Sequence, residues 1–126
     1  MINGQVAGID GDQLANKANV RGWLWNAPQN QADGAIRGCL LLAHGAGAPM
    51  DSEFMQDMAQ RLAGQGVGVL RFEFPYMAQR RLSGGKRPPN PQAVLLECWR
   101  EVWGEVRPLV AGPLAIGGKS MGGRMA

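Results

Sequence analysis

Two patterns of apolar residues alternate along this chain. Continuous apolar runs occur at 38–43 (Gly-Cys-Leu-Leu-Leu-Ala), at 67–72 (Val-Gly-Val-Leu-Arg-Phe) and, more briefly, at 114–116 (Leu-Ala-Ile). Runs of this kind are expected of parallel strands buried on both faces. Between them, apolar residues recur at helical spacing. Over 51–64 the stripe is Met55, Met58, Ala59 and Leu62, with Asp51 or Ser52 as the cap and Gly64 and Gly66 as the stop. Over 91–106 it is Val94, Leu95, Cys98, Trp99, Val102 and Val106, with Glu97, Glu101 and Glu105 on the wet side and Pro108 beyond the end. Residues 21–26 have the composition of a further strand. Residues 27–38 read as a loop, 75–90 as a long Pro/Gly/basic loop after a strand stopped by Pro75, and 1–20 carry no clear pattern. The order βαβαβ over 38–126 predicts a mostly parallel sheet flanked by helices, with right-handed crossovers.

That topology has a geometric consequence. The segments after the three strands, His44-Gly45-Ala46-Gly47, Glu73-Phe74-Pro75-Tyr76 and Gly117-Gly118-Lys119-Ser120, should emerge at one carboxyl edge of the sheet, where α/β proteins bind ligands. The last of them continues into Gly118-Lys119-Ser120-Met121-Gly122, the G-x-S-x-G pattern of a strand turning sharply into a helix with the serine at the bend. Such a serine has strained backbone angles. The residues two before and two after it should crowd each other, which calls for glycine at 118 and 122. Glycine is abundant here, 19 residues of 126, so the pattern gains its weight from the strand in front of it. Gly118-Lys119-Ser120 also resembles the end of a phosphate-binding loop. In that pattern the first glycine would fall at 113, which is proline, and Gly112 is one place too early.

Composition narrows the classes. Hydrophobic residues are 45% and charged residues 18%, the balance of a folded globular domain. The net charge of +3 is mild, and its densest cluster, Arg80-Arg81 to Lys86-Arg87, lacks interleaved aromatics, so nucleic acid is not an expected partner. No apolar run approaches the about 18 residues of a membrane span, and the N-terminus lacks a basic region followed by an apolar one. A cytoplasmic location is expected. Cys39 and Cys98 read as buried thiols, and one histidine makes a metal site unexpected. No cofactor is called for. Trp23, Trp25, Trp99 and Trp103 are expected to be packing residues. Glu73 is placed to pair with Arg71 or the basic loop. Lys119 and Arg124 flank Ser120 and would suit an anionic substrate.

Four blocks occur in order: Leu41-Leu-Ala-His-Gly-Ala-Gly-Ala-Pro-Met-Asp-Ser52, Arg71-Phe-Glu-Phe-Pro-Tyr-Met77, Gly85-Lys-Arg-Pro-Pro89 and Ile116-Gly-Gly-Lys-Ser-Met-Gly-Gly-Arg-Met125. From about residue 38 onward the chain resembles the α/β-hydrolases related to dienelactone hydrolase. That group includes many bacterial proteins and the hydrolase-like domain of the testis-expressed and non-specific-lethal-complex proteins of animals. The resemblance implies the N-terminal part of an α/β-hydrolase fold. It also implies a nucleophile at Ser120 acting on a small ester, lactone or thioester, with backbone N–H groups of Met121 and Ala46 as the oxyanion hole. His44, Gly45, Gly47, Gly118 and Gly122 would support that site, His44 by fixing its loop through the ring nitrogens rather than as the base.

In the family the acid and then the histidine follow the serine. Here only Met-Gly-Gly-Arg-Met-Ala follows Ser120. The expectation is an incomplete hydrolase domain over 1–126, poorly defined over 1–37 and truncated after the serine turn, without triad acid or histidine and inactive alone. The strand at 114–116 would then be an open edge, available for self-association or for a complementing C-terminal half. The alternative is a non-catalytic hydrolase-like scaffold that binds protein partners.

Overall fold

The computed structural model describes residues 5–6, 8–29 and 37–126. A two-residue pair, β1 (Gln5–Val6) and β2 (Ile9–Asp10), leads into helix α1 (Gly11–Arg21). Then follow β3 (Leu24–Asn26), β4 (Gly38–Ala43), α2 (Glu53–Gly64), β5 (Val67–Phe72), α3 (Pro75–Ser83), α4 (Gln92–Val106), β6 (Leu114–Gly118) and α5 (Met121–Met125). The main sheet has the order β3-β5-β4-β6. β4 runs parallel to both β5 and β6, and β3 is antiparallel on β5. This is the expected mostly parallel sheet, and it reaches back into the first 37 residues through β3.

The continuous apolar run of β4 follows from burial on two sides. Cys39, Leu41 and Ala43 join a large cluster with Leu14 and Ala18 of α1 and with Leu95, Trp99, Val102 and Val106 of α4. Leu40 and Leu42 face the other way, into a smaller cluster with Met55, Ala59, Met58 and Leu62 of α2. Alternate side chains of one strand therefore meet different helices, and neither set can be polar. Trp23 and Trp99 are core residues and Trp25 packs against the large cluster, whereas Trp103 is exposed beside the Arg107 guanidinium. Both cysteines are free. Burial pushes the Cys39 thiol up to about 12 and the Cys98 thiol up to about 11, so neither is a thiolate at neutral pH.

Two expectations differ from the structure. Residues 75–90 are not one loop: 75–83 form α3, with Pro75 at the first helical turn, where its missing N–H removes nothing, and Gly84 closing the helix at φ +72°. Residues 11–20, within the stretch that carries no clear pattern, and Arg21, which was expected to begin the strand over 21–26, form α1. Its cues are local and weak. The Asp10 side chain accepts the Gln13 N–H at 3.2 Å, Leu14 and Ala18 lie four apart on the buried face, and Gly22 ends it in the left-handed region. At α2, of the two residues expected as cap, Ser52 serves, its Oγ accepting the Met55 N–H at 3.4 Å, while Asp51 is used elsewhere.

Among the described residues β6 is paired on one side only, by β4, and Ile116 on it is 43% exposed. No helix among them is long and apolar enough to cross a membrane, and no cluster of three metal-ligating side chains occurs.

Candidate active site

The register of the sheet brings the glycine turn and the serine turn together. Ala43 pairs with both Phe72 and Gly118, so β4, β5 and β6 end level. The Lys119 N–H extends the ladder to the Ala43 carbonyl at 3.1 Å. A Cβ built on Gly45 would lie 3.8 Å from the Cβ of Ser120 and 3.4 Å from the Lys119 carbonyl oxygen. The turns at 44–47 and 118–122 are thus in van der Waals contact at the carboxyl edge of the sheet.

Ser120 is exposed and has φ +54°, ψ −115°, the one positive φ at a non-glycine residue among those described. Such a conformation costs about 1–3 kcal/mol and persists only where its surroundings impose it. Three glycines make room for it here. A Cβ on Gly118 would come within 2.7 Å of Gly122 C and Gly123 N, and one on Gly123 within 2.6 Å of the Gly118 oxygen. A Cβ on Gly122 would lie 2.3 Å from the His44 oxygen and 2.9 Å from the Ala43 Cβ. The expected mutual crowding of 118 and 122 is therefore only half the arrangement. Gly122 clears the end of β4 rather than Gly118, and Gly123, which the pattern did not single out, clears Gly118. Gly47 has open space around it, and Gly45 would meet only ordinary contacts.

His44 is fully buried, and both ring nitrogens are engaged. Nδ1 lies 2.6 Å from the Gly45 carbonyl oxygen, which can only accept, so Nδ1 carries the proton. Nε2 accepts the Phe74 N–H at 3.1 Å. This fixes the neutral Nδ1–H tautomer. Burial holds the imidazole below its ordinary value of 6.5, outweighing the Gly45 bond and the Glu73 charge. The rings of Phe74 and Tyr76 meet it edge-on at 5.1 and 5.8 Å. His44 thus fixes its loop through its ring nitrogens, and neither nitrogen is free to serve Ser120.

The bond to Gly45 also orients the next peptide. In a trans peptide the carbonyl and the N–H point in opposite directions. With the Gly45 carbonyl turned to the His44 ring, the Ala46 N–H faces away from that ring. The Tyr76 hydroxyl donates to the Ala46 carbonyl at 2.9 Å, with the Gly45 carbonyl at 3.4 Å, so it pins the same turn from below. Neither the Ala46 N–H nor the Met121 N–H has an acceptor among the described residues. Met121, first in α5, has its side chain in the core cluster.

Of the contacts that position this site, only that of Glu73 with the basic segment was expected. Arg81 holds the 44–52 loop to α3, giving both guanidinium Nη atoms to Asp51 at 2.8 and 3.1 Å, and Nε and Nη2 to Glu73 at 3.0 and 2.6 Å. That pairing holds the Asp51 carboxyl below its usual range. Glu73 therefore pairs with the basic segment and not with Arg71. Arg71, buried in β5, instead donates to the Met50 carbonyl at 3.1 Å and the Asn26 side chain at 2.9 Å. Asn90 accepts the Tyr76 N–H at 2.8 Å, capping α3 from the far end of the following loop. Lys119 is drawn over the Phe54 ring, 5.3 Å from its centre, and Arg124 is exposed.

No curated protein and no solved structure matches the chain. A family match does exist, and it spans most of what has just been described. Residues 36–126, from the start of β4 through both turns to α5, match the family described as an alpha/beta hydrolase domain. With a mostly parallel sheet, helices on both faces and a strained serine where strand gives way to helix, this chain belongs to the alpha/beta hydrolase domain family.

Proposed function

We propose that this chain carries the nucleophile and oxyanion side of a serine hydrolase acting on an ester, lactone or thioester. The observation that carries the reading is the exposed Ser120 at positive φ, in contact with the 44–47 turn. Ser120 Oγ attacks the substrate carbonyl carbon. The carbonyl oxygen becomes an oxyanion held by the N–H groups of Met121 and Ala46; its collapse expels the alcohol or thiol, which takes the proton drawn from Ser120, and leaves an acyl-serine that water then hydrolyses. His44 and Tyr76 act as positioning residues for the Ala46 donor. The base that takes the Ser120 proton is a histidine outside these 126 residues, because the single imidazole here has both nitrogens engaged. The four sequence blocks support a relation to the dienelactone-hydrolase group. One observation favours a second reading, a hydrolase-like scaffold that binds partners: the one-sided edge of β6 with its exposed Ile116.

A fluorophosphonate probe separates the two, with imidazole added as an external base. Donors and binding alone retain about 10³–10⁴-fold over water when a triad is removed, so Ser120 should be modified ahead of Ser52 and Ser83. Ser120→Ala should abolish that adduct. Equal labelling of the two proteins would exclude Ser120 as the nucleophile and leave the scaffold reading. Without added base, ester turnover should not exceed that of Ser120→Ala. Turnover that depends on Ser120 would contradict the placement of the base.

A further inference from the structure

Beside the 44–47 turn lies an open cleft of about 330 Å³, lined among others by Gly47, Pro49, Arg80, Arg81 and Lys86. Gly47 is two residues from Gly45, which touches Ser120, and two residues span at most about 7 Å. The cleft therefore opens within one small acyl or alcohol chain of the serine. A Cβ built on Gly47 would meet nothing within 4 Å, so the turn is uncovered where it borders the cleft.

The charges of this cleft are unevenly used. Arg81 is consumed by Asp51 and Glu73, which are themselves consumed by it. Among the described residues Arg80 makes one side-chain hydrogen bond, to the Met77 sulfur at 3.8 Å, and no carboxylate pairs with Arg80 or Lys86. The balance of the cleft is positive. Burial lowers His44 and raises Tyr76, and the Arg80 charge is felt at both rings as a smaller downward pull, which places its field under the same turn. Lys119, the cation next to Ser120 in sequence, is diverted onto Phe54, so the charge available to a ligand comes from α3 and the loop after it.

We propose that the cleft is a specificity subsite in which Arg80 and Lys86 hold an oxyanionic group, carboxylate or phosphate, of a substrate whose ester or thioester carbonyl sits at Ser120. The subsite rests on the reading of Ser120 as nucleophile, but its binding can be measured without any reaction. A guanidinium and an ammonium on one cleft wall give charge-assisted hydrogen bonds, which an uncharged ester cannot accept with equal strength. The ligand is thus an anionic ester rather than a neutral lipid or simple alkyl ester.

The test is a titration of the 126-residue chain, followed by amide and side-chain NMR, with monoethyl succinate, acetoxyethyl phosphate and neutral diethyl succinate. At least one anionic ester should bind tenfold or more tightly than diethyl succinate, shifting the Gly47 and Gly84 amides, and the preference should weaken with added salt. Whichever of the two binds better identifies the group as carboxylate or phosphate. The double variant Arg80→Gln, Lys86→Gln, changed at surface positions only, should lose the preference while its spectrum stays folded. Ser120→Ala should keep it, so a failure of the nucleophile reading leaves the preference standing. Equal binding of all three esters, no binding of any, or a preference untouched by the double variant would overturn the subsite.

Discussion

Gly122→Ala is expected to destabilise the protein by about 3 kcal/mol or more, at the upper end of what overpacking costs. The reason is the identity of the atoms a methyl group would meet. The His44 carbonyl oxygen at 2.3 Å and the Ala43 Cβ and carbonyl carbon at 2.9 and 3.0 Å belong to the end of a central strand and cannot swing aside. Relief requires moving α5, and with it the serine turn, off β4. At about 3–5 °C per kcal/mol for a domain of this size, the thermal midpoint should fall by roughly 10 °C or more. Gly104→Ala supplies the opposite sign for the same chemical change. Gly104 sits exposed within α4 with nothing near its would-be Cβ, so alanine should stabilise by about 0.5–1 kcal/mol through helix propensity. Circular dichroism melts of both variants check the pair. A Gly122→Ala protein melting with the wild type would mean that the serine turn is not packed against the strand.

His44→Ala should cost about 2–4 kcal/mol. It leaves the buried Phe74 N–H without its acceptor, releases the Gly45 carbonyl, and opens a cavity between Phe74 and Tyr76. The same residue sets a pH dependence. Burial depresses the folded-state titration of His44 below 6.5, so as the pH falls below about 6.5 the unfolded chain takes up a proton that the folded chain refuses. Stability is therefore full above that pH. It declines through the window down to the folded-state value. His44 is the only histidine in the chain, so denaturant midpoints between pH 5 and 8 and the imidazole NMR signals report on it unambiguously. His44→Asn, which keeps a donor toward Gly45, should flatten the decline. A ring titrating at or above 6.5 would contradict the buried, doubly bonded imidazole.

The parts of this protein legible in its sequence are those where one residue type answers one physical demand. β4 and β5 were readable because burial on both faces forbids polar residues, and α2 and α4 because one buried stripe must recur at helical spacing. The serine turn was readable for a related reason, since a hydroxyl at positive φ demands glycines around it. α3 was misread because Pro75 stops a strand and starts a helix equally well. Only Tyr76 and Met77 turning inward distinguishes the two. α1 was hidden because just two of its residues are buried. The least legible features were the long-range polar contacts. Nothing near Arg81 in sequence shows that it meets Asp51, thirty residues away, rather than solvent, and nothing marks Asn90 as the cap for a helix that begins fifteen residues earlier. The Phe-Pro-Tyr block was visible as a block. That its tyrosine pins the Ala46 turn depends on how β5 and β4 are aligned, and no single segment encodes that.

The site depends on the contact between two turns, with the Ser120 side chain outward against the glycine turn that starts at His44. A nuclear Overhauser experiment on isotopically labelled protein tests this without any assumption about chemistry. Cross-peaks are expected between the Gly45 α-protons and the Ser120 β-protons, together with ready solvent exchange of the hydroxyl. Absence of those cross-peaks, with Ser120 β-protons instead seeing Leu41, Trp99 or other residues of the large cluster, would contradict it.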